Sequence, residues 1–234
     1  MAAAAVVAAV LLAVALGRAR RTARSLHGRL DEAAHSLESL QQAFSHFAPP
    51  AVVEDIIAQG VSTRSERKAV TVLFADLKGF TALAERLDPD VLVRILNGWF
   101  ERMSKALRAH QGHVAKLIGD GILALFGALE RNPWQTNDAV HAALAMRAAL
   151  EDYNAALAGE GLPALALGIG IHHGEVVAGV IGSVELLEYG VLGTTVNVAA
   201  RVERLTRVHG VDVLVTEAAR AALDPRFRLR PMPA

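Results

Sequence analysis

The segment 114–127, "VAKLIGDGILALFG", constrains the fold of this 234-residue chain more than any other. It consists of two apolar runs, each about as long as a strand, which meet at Gly119, Asp120 and Gly121. An Asp-Gly pair between such runs is the strongest short-range signal for a β-hairpin. The segment therefore predicts two neighbouring antiparallel strands with one charged residue at the turn between them.

The segments on either side of this hairpin alternate between strand and helix patterns. A β-branched run at 69–77 predicts a strand, and helical patterns follow at 81–87 and 89–110. Downstream we expect a helix at 136–157, two strands around "HHGE" within 165–182, a helix at 196–210, and a strand and a helix within 211–223. This order predicts an α+β fold, a ferredoxin-like palm with a central, mostly antiparallel sheet and helices on one face.

The first 17 residues carry no charge and are followed by a basic cluster that begins at Arg18. We predict a membrane anchor at 1–17, because about 17 apolar residues are the minimum that crosses a bilayer core. It is expected in the cell inner membrane, alone or as part of a larger membrane domain, with the following residues in the cytoplasm. A cleaved signal peptide is the alternative, although its charges normally precede the apolar run.

Residues 18–48 contain the basic cluster and then a heptad pattern that predicts a coiled coil. The apolar positions, in alternating steps of four and three, are Leu26, Leu30, Ala33, Leu37, Leu40, Phe44 and Phe47. An ordinary amphipathic helix on its own domain is the alternative. Pro49 and Pro50 end the helix. Residues 49–69 are predicted to form a linker helix and transducer segment, and 70–234 the domain that carries the chemistry.

The overall composition excludes several classes of partner and site. The chain has 24 Lys and Arg residues and 24 Asp and Glu residues, so no global charge attracts nucleic acid, and we expect no such partner. It contains no cysteine, which excludes disulfides and thiolate metal sites. Any metal ion must therefore be held by oxygen or imidazole.

Two aspartates lie at positions that packing of a hydrophobic core does not explain. Asp76 ends the strand 69–77, and Asp120 lies at the hairpin turn. If the first strand lies beside the hairpin, the two carboxylates converge and repel each other unless a cation neutralises them. Divalent ions such as Mg²⁺ or Mn²⁺ are the natural companions of such a pair. The alternative for Asp120 is a plain turn residue.

Polar residues near Asp76 and on later elements could hold a nucleotide. The residues Leu77, Lys78, Gly79, Phe80 and Thr81 lead directly into a helix, whose free N–H groups can cradle phosphate. Lys116 interrupts an apolar strand, where a buried ammonium needs an acceptor such as a purine ring. Asn197 and Arg201 are four residues apart on one helix face and could hold ribose and phosphate. Taken singly, the last three are equally compatible with a snorkelling Lys, a helix cap and a surface Arg.

Four blocks of sequence together resemble the catalytic domain of the class III nucleotidyl cyclases, and most closely the bacterial adenylate cyclases. The blocks are "VTVLFADLKGFTALAE", "HVAKLIGDGILALFG", "GIGIHHGEVVAGVIGS" and "EYGVLGTTVNVAARVERL". The similarity covers about residues 70–224. The hairpin "IGDGI" differs from the "GGDEF" or "GGEEF" of the diguanylate cyclases, which share the palm-like fold.

The resemblance implies a role for each candidate residue. Asp76 and Asp120 match the aspartates that hold two divalent metal ions, Mg²⁺ or Mn²⁺, and the loop 77–81 matches the phosphate cradle. Lys116 matches the lysine that selects adenine. Asn197 and Arg201 match the catalytic pair that orients the ribose and stabilises the transition state at the α-phosphate. The implied reaction converts ATP to 3′,5′-cyclic AMP and pyrophosphate.

In this family one subunit provides the metal aspartates and the other provides the catalytic Asn and Arg. The resemblance therefore implies a homodimer, formed through the catalytic domain and the coiled coil. The sequence departs from the family at Gly190, where the second purine-selecting residue is usually Asp, Thr or Ser. A guanylate or dual-specificity cyclase is therefore an alternative, as is a catalytically silent cyclase-like module that relays signals. The adjacent His172 and His173 point to opposite strand faces, so we expect them to be structural.

Overall fold

A computed structural model describes residues 35–36, 65–182 and 187–233 of the chain. The strands are β1 (Glu66–Leu77), β2 (His113–Ile118), β3 (Gly121–Phe126), β4 (Leu167–Gly182), β5 (Leu187–Leu192) and β6 (Val213–Val215). The helices are α1 (Phe80–Ala84), α2 (Pro89–Ala109), α3 (Gln135–Gly159), α4 (Thr194–His209) and α5 (Glu217–Ala221). These elements lie within the compact unit Gln59–Ala234.

The predictions for the N-terminal region lie almost entirely outside the described residues. They concern the membrane anchor at 1–17, the coiled coil at 18–48 and most of the linker at 49–69. Within the part of the chain that the structure describes, no helix is both long and apolar enough to cross a bilayer. Strand β1 begins at Glu66, so the sheet starts four residues before the predicted domain boundary at Val70.

The sheet has the strand order β2-β3-β1-β4-β5, and β6 pairs with β4. Every pairing is antiparallel except the parallel pairing of β6 with β4. The predicted α+β fold with a mostly antiparallel sheet is therefore confirmed, as is the position of the first strand beside the hairpin. Strand β1 lies between β3 and β4 in the middle of the sheet, so the residues at its C-terminal end are flanked by the ends of both neighbouring strands.

The helices cover both faces of the sheet, so the prediction of helices on one face is wrong. On one face, helices α2 and α3 pack through Trp99, Met103 and Met146 on alternate residues of the central strands, such as Leu73 and Ile169. On the other face, Ala199 of α4 joins a separate cluster with Val70, Val72, Leu123 and Leu125. Strand β3 is buried along its whole length because both of its faces are covered.

Strand β4 is a single strand of 16 residues, whereas the sequence analysis expected two strands around "HHGE". The glycines of β4 allow this strand to run under a helix without interruption. A Cβ atom at Gly170 would lie 2.3 Å from the backbone nitrogen of Glu203, and one at Gly168 would lie 2.4 Å from the Thr206 hydroxyl oxygen. Helix α4 therefore lies directly on the β4 backbone.

Candidate active site

The end of β1 and the β2–β3 turn bring Asp76 and Asp120 together. The turn uses Gly119 at φ 62°, a left-handed conformation that glycine adopts without strain. Asp120 Oδ2 accepts a hydrogen bond from the backbone N–H of Leu77 at 3.3 Å, which joins the turn to the residue after Asp76. The Asp120 carbonyl accepts a hydrogen bond from Trp99 Nε1 at 3.1 Å, which fixes the turn on helix α2.

The two carboxylates influence each other electrostatically. Burial and, second, the negative charge of Asp76 raise the pKa of Asp120 above its usual range, against the hydrogen bond from the Leu77 N–H. The two ionised carboxylates therefore repel each other at this position. A divalent cation between the two carboxylates would remove this repulsion.

Gly121 provides space for Asp76. A Cβ atom at position 121 would lie 3.2 Å from Asp76 Oδ1 and 3.1 Å from the carbonyl oxygen of Ile118. Both contacts are tighter than ordinary van der Waals packing. The glycine after Asp120 thus serves the turn and also leaves room for the second carboxylate, a requirement that turn chemistry alone does not reveal.

Arg207, near the end of α4, completes this cluster and was not predicted from the sequence. Its Nη2 donates to Asp76 Oδ2 at 2.9 Å and to the carbonyl oxygen of Leu77 at 3.4 Å. Its Nη1 donates to Glu203 Oε1 at 2.6 Å. Glu203 is 1% exposed, and burial raises its pKa while the charge of Arg207 opposes that shift. The i, i+4 spacing of Arg207 and Glu203 indicates their pairing but does not point to Asp76.

The loop between β1 and α1 is only partly available for phosphate. The backbone N–H of Leu77 is used by Asp120, and that of Lys78 donates to the Ala166 carbonyl at 2.7 Å. The Lys78 ammonium binds the Val211 carbonyl at 2.8 Å and Asp212 Oδ1 at 3.2 Å, so this side chain holds β6 in place. The remaining N–H groups are those of Gly79, Phe80 and Thr81.

These three residues form the start of α1, where an α-helix supplies no acceptor for its first N–H groups. Gly79 precedes the helix at φ 72° and ψ 15°, and no atom lies within 4 Å of a Cβ built there. Phe80 is buried in the core, whereas Thr81 is exposed. The Phe80 side chain therefore anchors the loop, and its backbone is the part that could meet a ligand.

Lys116 lies on the same sheet face as Asp76 because β2 contains an irregularity. Between Val114 and Lys116 the register with β3 shifts, so Lys116 pairs with Leu123. Leu123 in turn pairs with Phe74, two residues before Asp76 on the same face of β1. The lysine is exposed in the single chain rather than buried, which differs from the sequence-based expectation.

Asn197 and Arg201 are exposed on α4 and precede Arg207 on this helix. The start of this helix lies over Gly174, where a Cβ atom would be 2.9 Å from Thr195 Oγ1, and its end reaches Asp76 through Arg207. Ten residues separate Asn197 from Arg207, which is about 15 Å along a helix axis. The structure thus brings together Asp76 and Asp120 but leaves Asn197 apart from them.

Gly190 lies in β5, opposite Gly179 of β4. A Cβ atom at this position would meet only Ile181 Cδ1, at an ordinary contact distance of 3.5 Å. The backbone and its surroundings therefore do not require glycine here. A Cβ atom, the first atom of any other side chain, is accommodated at this position.

His172 and His173 occupy opposite faces of β4, as predicted. His172 Nδ1 lies 2.9 Å from Thr216 Oγ1, and His173 Nδ1 lies 3.0 Å from Thr71 Oγ1. Burial is the main cause that lowers the pKa of both rings, which favours the neutral form. They bind hydroxyl groups inside the fold and do not converge on a ligand.

The oxygen atoms around Asp76 suit a divalent cation. Asp76 Oδ2 and the Leu77 carbonyl converge on one cationic nitrogen of Arg207, with the Asp120 carboxylate adjacent. In the regions 65–182 and 187–233, no group of three or more His, Cys, Asp or Glu residues could hold a metal ion. Two carboxylates completed by substrate phosphates are nevertheless a common way to bind Mg²⁺.

Comparison with known proteins identifies the family. The family model described as the adenylate and guanylate cyclase catalytic domain matches residues 63–232. An adenylate cyclase of Anabaena cylindrica is 32% identical over 211 residues, which are 87% of this chain and 41% of that protein. Adenylate cyclase 1 of Rhizobium meliloti is 34% identical over 166 residues, which are 71% of this chain and 25% of that protein. The chain thus spans less than half the length of these relatives.

Solved structures show the same fold. The guanylyl cyclase Cya2 superposes with a TM-score of 0.68 at 36% sequence identity, covering 71% of this chain and 84% of that one. The adenylyl cyclase CyaB from P. aeruginosa superposes with a TM-score of 0.64 at 27% identity, covering 68% of this chain and 82% of that one. The relatives thus include cyclases named for each purine nucleotide.

Proposed function

Because the chain belongs to the class III adenylate and guanylate cyclase catalytic domain family, we propose that it converts ATP to 3′,5′-cyclic AMP and pyrophosphate at sites shared by two copies of the chain. The observation that carries this proposal is the convergence of Asp76 and Asp120 at the end of β1, beside the start of α1. Two carboxylates at a helix start are suited to a metal-bound triphosphate.

Asp76, Asp120 and the Leu77 carbonyl would hold two divalent ions, Mg²⁺ or Mn²⁺. When bound, such ions neutralise the triphosphate and make the ribose 3′-hydroxyl more acidic. Burial and, second, the negative charge of Asp76 raise the pKa of Asp120, and a bound cation would favour its ionised form. The backbone N–H groups of Gly79, Phe80 and Thr81 would then donate to phosphate oxygens at the adjacent helix start.

The reaction is an internal displacement at the α-phosphate. The ribose 3′-oxygen forms a bond to this phosphorus, the bond to the bridging oxygen breaks, and pyrophosphate leaves with the electron pair. The 3′-hydroxyl proton passes to solvent. Asn197 would hold the ribose in the reactive orientation, and the Arg201 guanidinium would stabilise the charge that develops on the phosphate oxygens.

Two copies of the chain are needed because one copy separates these groups. Asn197 lies about 15 Å along α4 from the residue that contacts Asp76. A two-fold axis would allow Asn197 and Arg201 of one copy to meet the Asp76 and Asp120 of the other, giving two equivalent sites. The exposure of Asn197 and Arg201 supports this proposal, since both side chains are accessible to a partner.

Lys116 is the residue that we propose to select adenine. It projects from the same sheet face as Asp76, and its ammonium could donate to a ring nitrogen of the purine. GTP is the second candidate substrate. It is favoured by Gly190, which offers no side chain to the base, and by the 36% identity with a guanylyl cyclase.

We also propose that residues 1–17 anchor the chain in the inner membrane, with the catalytic domain in the cytoplasm. The support is the uncharged run before Arg18 and the basic residues that follow it. Fractionation of cells that express the chain, with and without residues 1–17, tests this. Recovery of both forms in the soluble fraction would contradict the anchor.

The test of the enzymatic proposal is product identification. The purified chain is incubated with Mn²⁺ and either ATP or GTP, and the cyclic product is separated by chromatography. We expect cyclic AMP from ATP at a higher kcat/KM than cyclic GMP from GTP, and no product after chelation. Cyclic GMP as the main product would favour the second candidate. No cyclic product from either nucleotide would contradict both, and favour the silent module.

A further inference from the structure

Arg207 donates hydrogen bonds to two of the oxygen atoms that are proposed to bind metal ions. Its Nη2 lies 2.9 Å from Asp76 Oδ2 and 3.4 Å from the Leu77 carbonyl oxygen. Mg²⁺ binds oxygen at about 2.0–2.1 Å. An ion in contact with these two oxygens would therefore lie almost on the guanidinium hydrogens, so the two cations cannot share the position.

Glu203 gives Arg207 a second anchor. The Glu203 carboxylate is buried and accepts from Nη1 at 2.6 Å, one helical turn before Arg207. Its position is fixed by close packing, because a Cβ atom at Gly168 would lie 2.4 Å from Glu203 Oε1. If Nη2 leaves Asp76, the guanidinium still keeps this charged hydrogen bond. Moving the Arg207 tip away from Asp76 therefore does not leave a buried carboxylate without a partner.

We propose that Arg207 is a built-in competitor for the metal site: it neutralises Asp76 in the metal-free chain and moves onto Glu203 when a divalent cation binds. The inference rests on the metal-binding role proposed above for Asp76. Arg207 thus sets the cation concentration at which the site fills, and it takes no part in the bond changes. The ion pair is 36% exposed on the Arg207 side and 26% on the Asp76 side, so solvent moderates its strength.

The test measures metal binding without nucleotide. The purified full chain is titrated with Mn²⁺ alone, and free Mn²⁺ is followed by electron paramagnetic resonance. We expect Arg207→Gln to bind Mn²⁺ about tenfold more tightly than the parent chain, the change produced by removing one charged hydrogen bond of moderate strength. Arg207→Lys keeps the charge but lacks the planar fork, so its affinity should lie between the two.

Arg204→Gln is the matched control. Arg204 is exposed on the same helix and interacts with Glu203, but no hydrogen bond joins it to Asp76 among the described residues. Removing its charge should change Mn²⁺ affinity by less than about twofold at physiological salt, because exposed charges are screened. Thermal unfolding of each variant verifies that the domain is folded.

The outcomes separate this inference from the proposed function. Mn²⁺ binding that Asp76→Asn abolishes, together with no tightening in Arg207→Gln, would overturn the competitor role alone. Weaker binding in Arg207→Gln would also overturn it, because it would show that Arg207 supports the metal ligands. An equal gain in Mn²⁺ affinity in Arg204→Gln would also overturn the competitor role, because it would show that the loss of any nearby positive charge has the same effect. No Mn²⁺ binding by any folded chain without nucleotide would overturn the competitor role, whereas a cyclic product from the same preparations with Mn²⁺ and ATP would leave the proposed function standing.

Discussion

The two ends of helix α4 differ in what they contact. At its C-terminal end, Arg207 and Glu203 form ion pairs and hydrogen bonds that reach Asp76 of the same chain. At its N-terminal end, Asn197 and Arg201 are exposed on the outer surface. One helix therefore carries one residue that contacts Asp76 of its own chain and, nearer its start, two residues that are exposed.

The largest expected effects are losses of activity, and they should differ between Asp76, which the C-terminal end of α4 contacts, and Asn197 near its N-terminal end. Asp76→Asn should abolish both Mn²⁺ binding and turnover, since it removes a carboxylate ligand. Asn197→Ala should leave Mn²⁺ binding intact but lower kcat by about 10²–10³, the usual cost of losing a group that acts at the transition state. Electron paramagnetic resonance and product assays on the same preparations measure the two properties. Loss of Mn²⁺ binding in Asn197→Ala would contradict the separation.

The packing of α4 on β4 can be tested through glycine. Gly170→Ala would place a Cβ atom 2.3 Å from the Glu203 nitrogen and 2.4 Å from the Ala199 carbonyl oxygen. These are backbone atoms that cannot rotate away, so we expect a loss of roughly 3 kcal/mol in the free energy of unfolding. The matched control is Gly190→Ala, whose Cβ would make one ordinary contact at 3.5 Å. Equal urea midpoints for the two variants would mean that α4 can move off the strand.

The base-binding region allows a gain of selectivity. Gly190→Thr adds a hydroxyl that could bond the adenine amino group, at a position where a Cβ atom makes one ordinary contact. We expect the ratio of kcat/KM for ATP to that for GTP to rise about tenfold, because one such hydrogen bond contributes about 1–3 kcal/mol of discrimination. An unchanged ratio, with both rates retained, would show that position 190 does not meet the base.

The smallest effect concerns the stability of the metal-free domain. The pKa of Asp120 is raised in the fold, so its ionised form destabilises the domain at neutral pH, and this penalty disappears as pH falls through the raised pKa. Asp120→Asn should therefore raise Tm slightly at pH 7, because it removes a partly buried charge and its repulsion with Asp76. The difference from the parent chain should vanish under acidic conditions. A lower Tm for Asp120→Asn at pH 7 would contradict the assignment.

The sequence predicted the features that depend on local chemistry. The Asp-Gly turn, the β-branched run at 69–77 and the ferredoxin-like strand order placed Asp76 on a strand beside the hairpin whose turn holds Asp120. The contact between Arg207 and Asp76 joins residues 131 positions apart, and it depends on how far α4 slides along the sheet. No local pattern determines that position. The glycines of "GIGIHHG" were the available signal, since alternate glycines on one strand face permit close approach of a helix.

One wrong prediction and one feature that the sequence did not reveal have a related origin. Helices on both faces of the sheet could not be distinguished from helices on one face, because α4 buries only a few small and polar residues, such as Ala199 and Thr206. The irregularity before Lys116 leaves no mark in the apolar alternation of β2, although it helps to set the face on which the lysine lies. Both features are fixed by tertiary packing, which outweighs local preference.

Mixing two inactive variants tests whether two chains share each site. Asp76→Ala removes a proposed metal ligand and Asn197→Ala removes the group proposed to orient the ribose, so each variant homodimer should be nearly inactive. Random exchange in an equal mixture should restore about a quarter of the parent activity, because half of the dimers are mixed and each has one complete site. If the mixture remains inactive while cross-linking shows mixed dimers, the two ends of α4 do not serve different sites and the shared-site model is wrong.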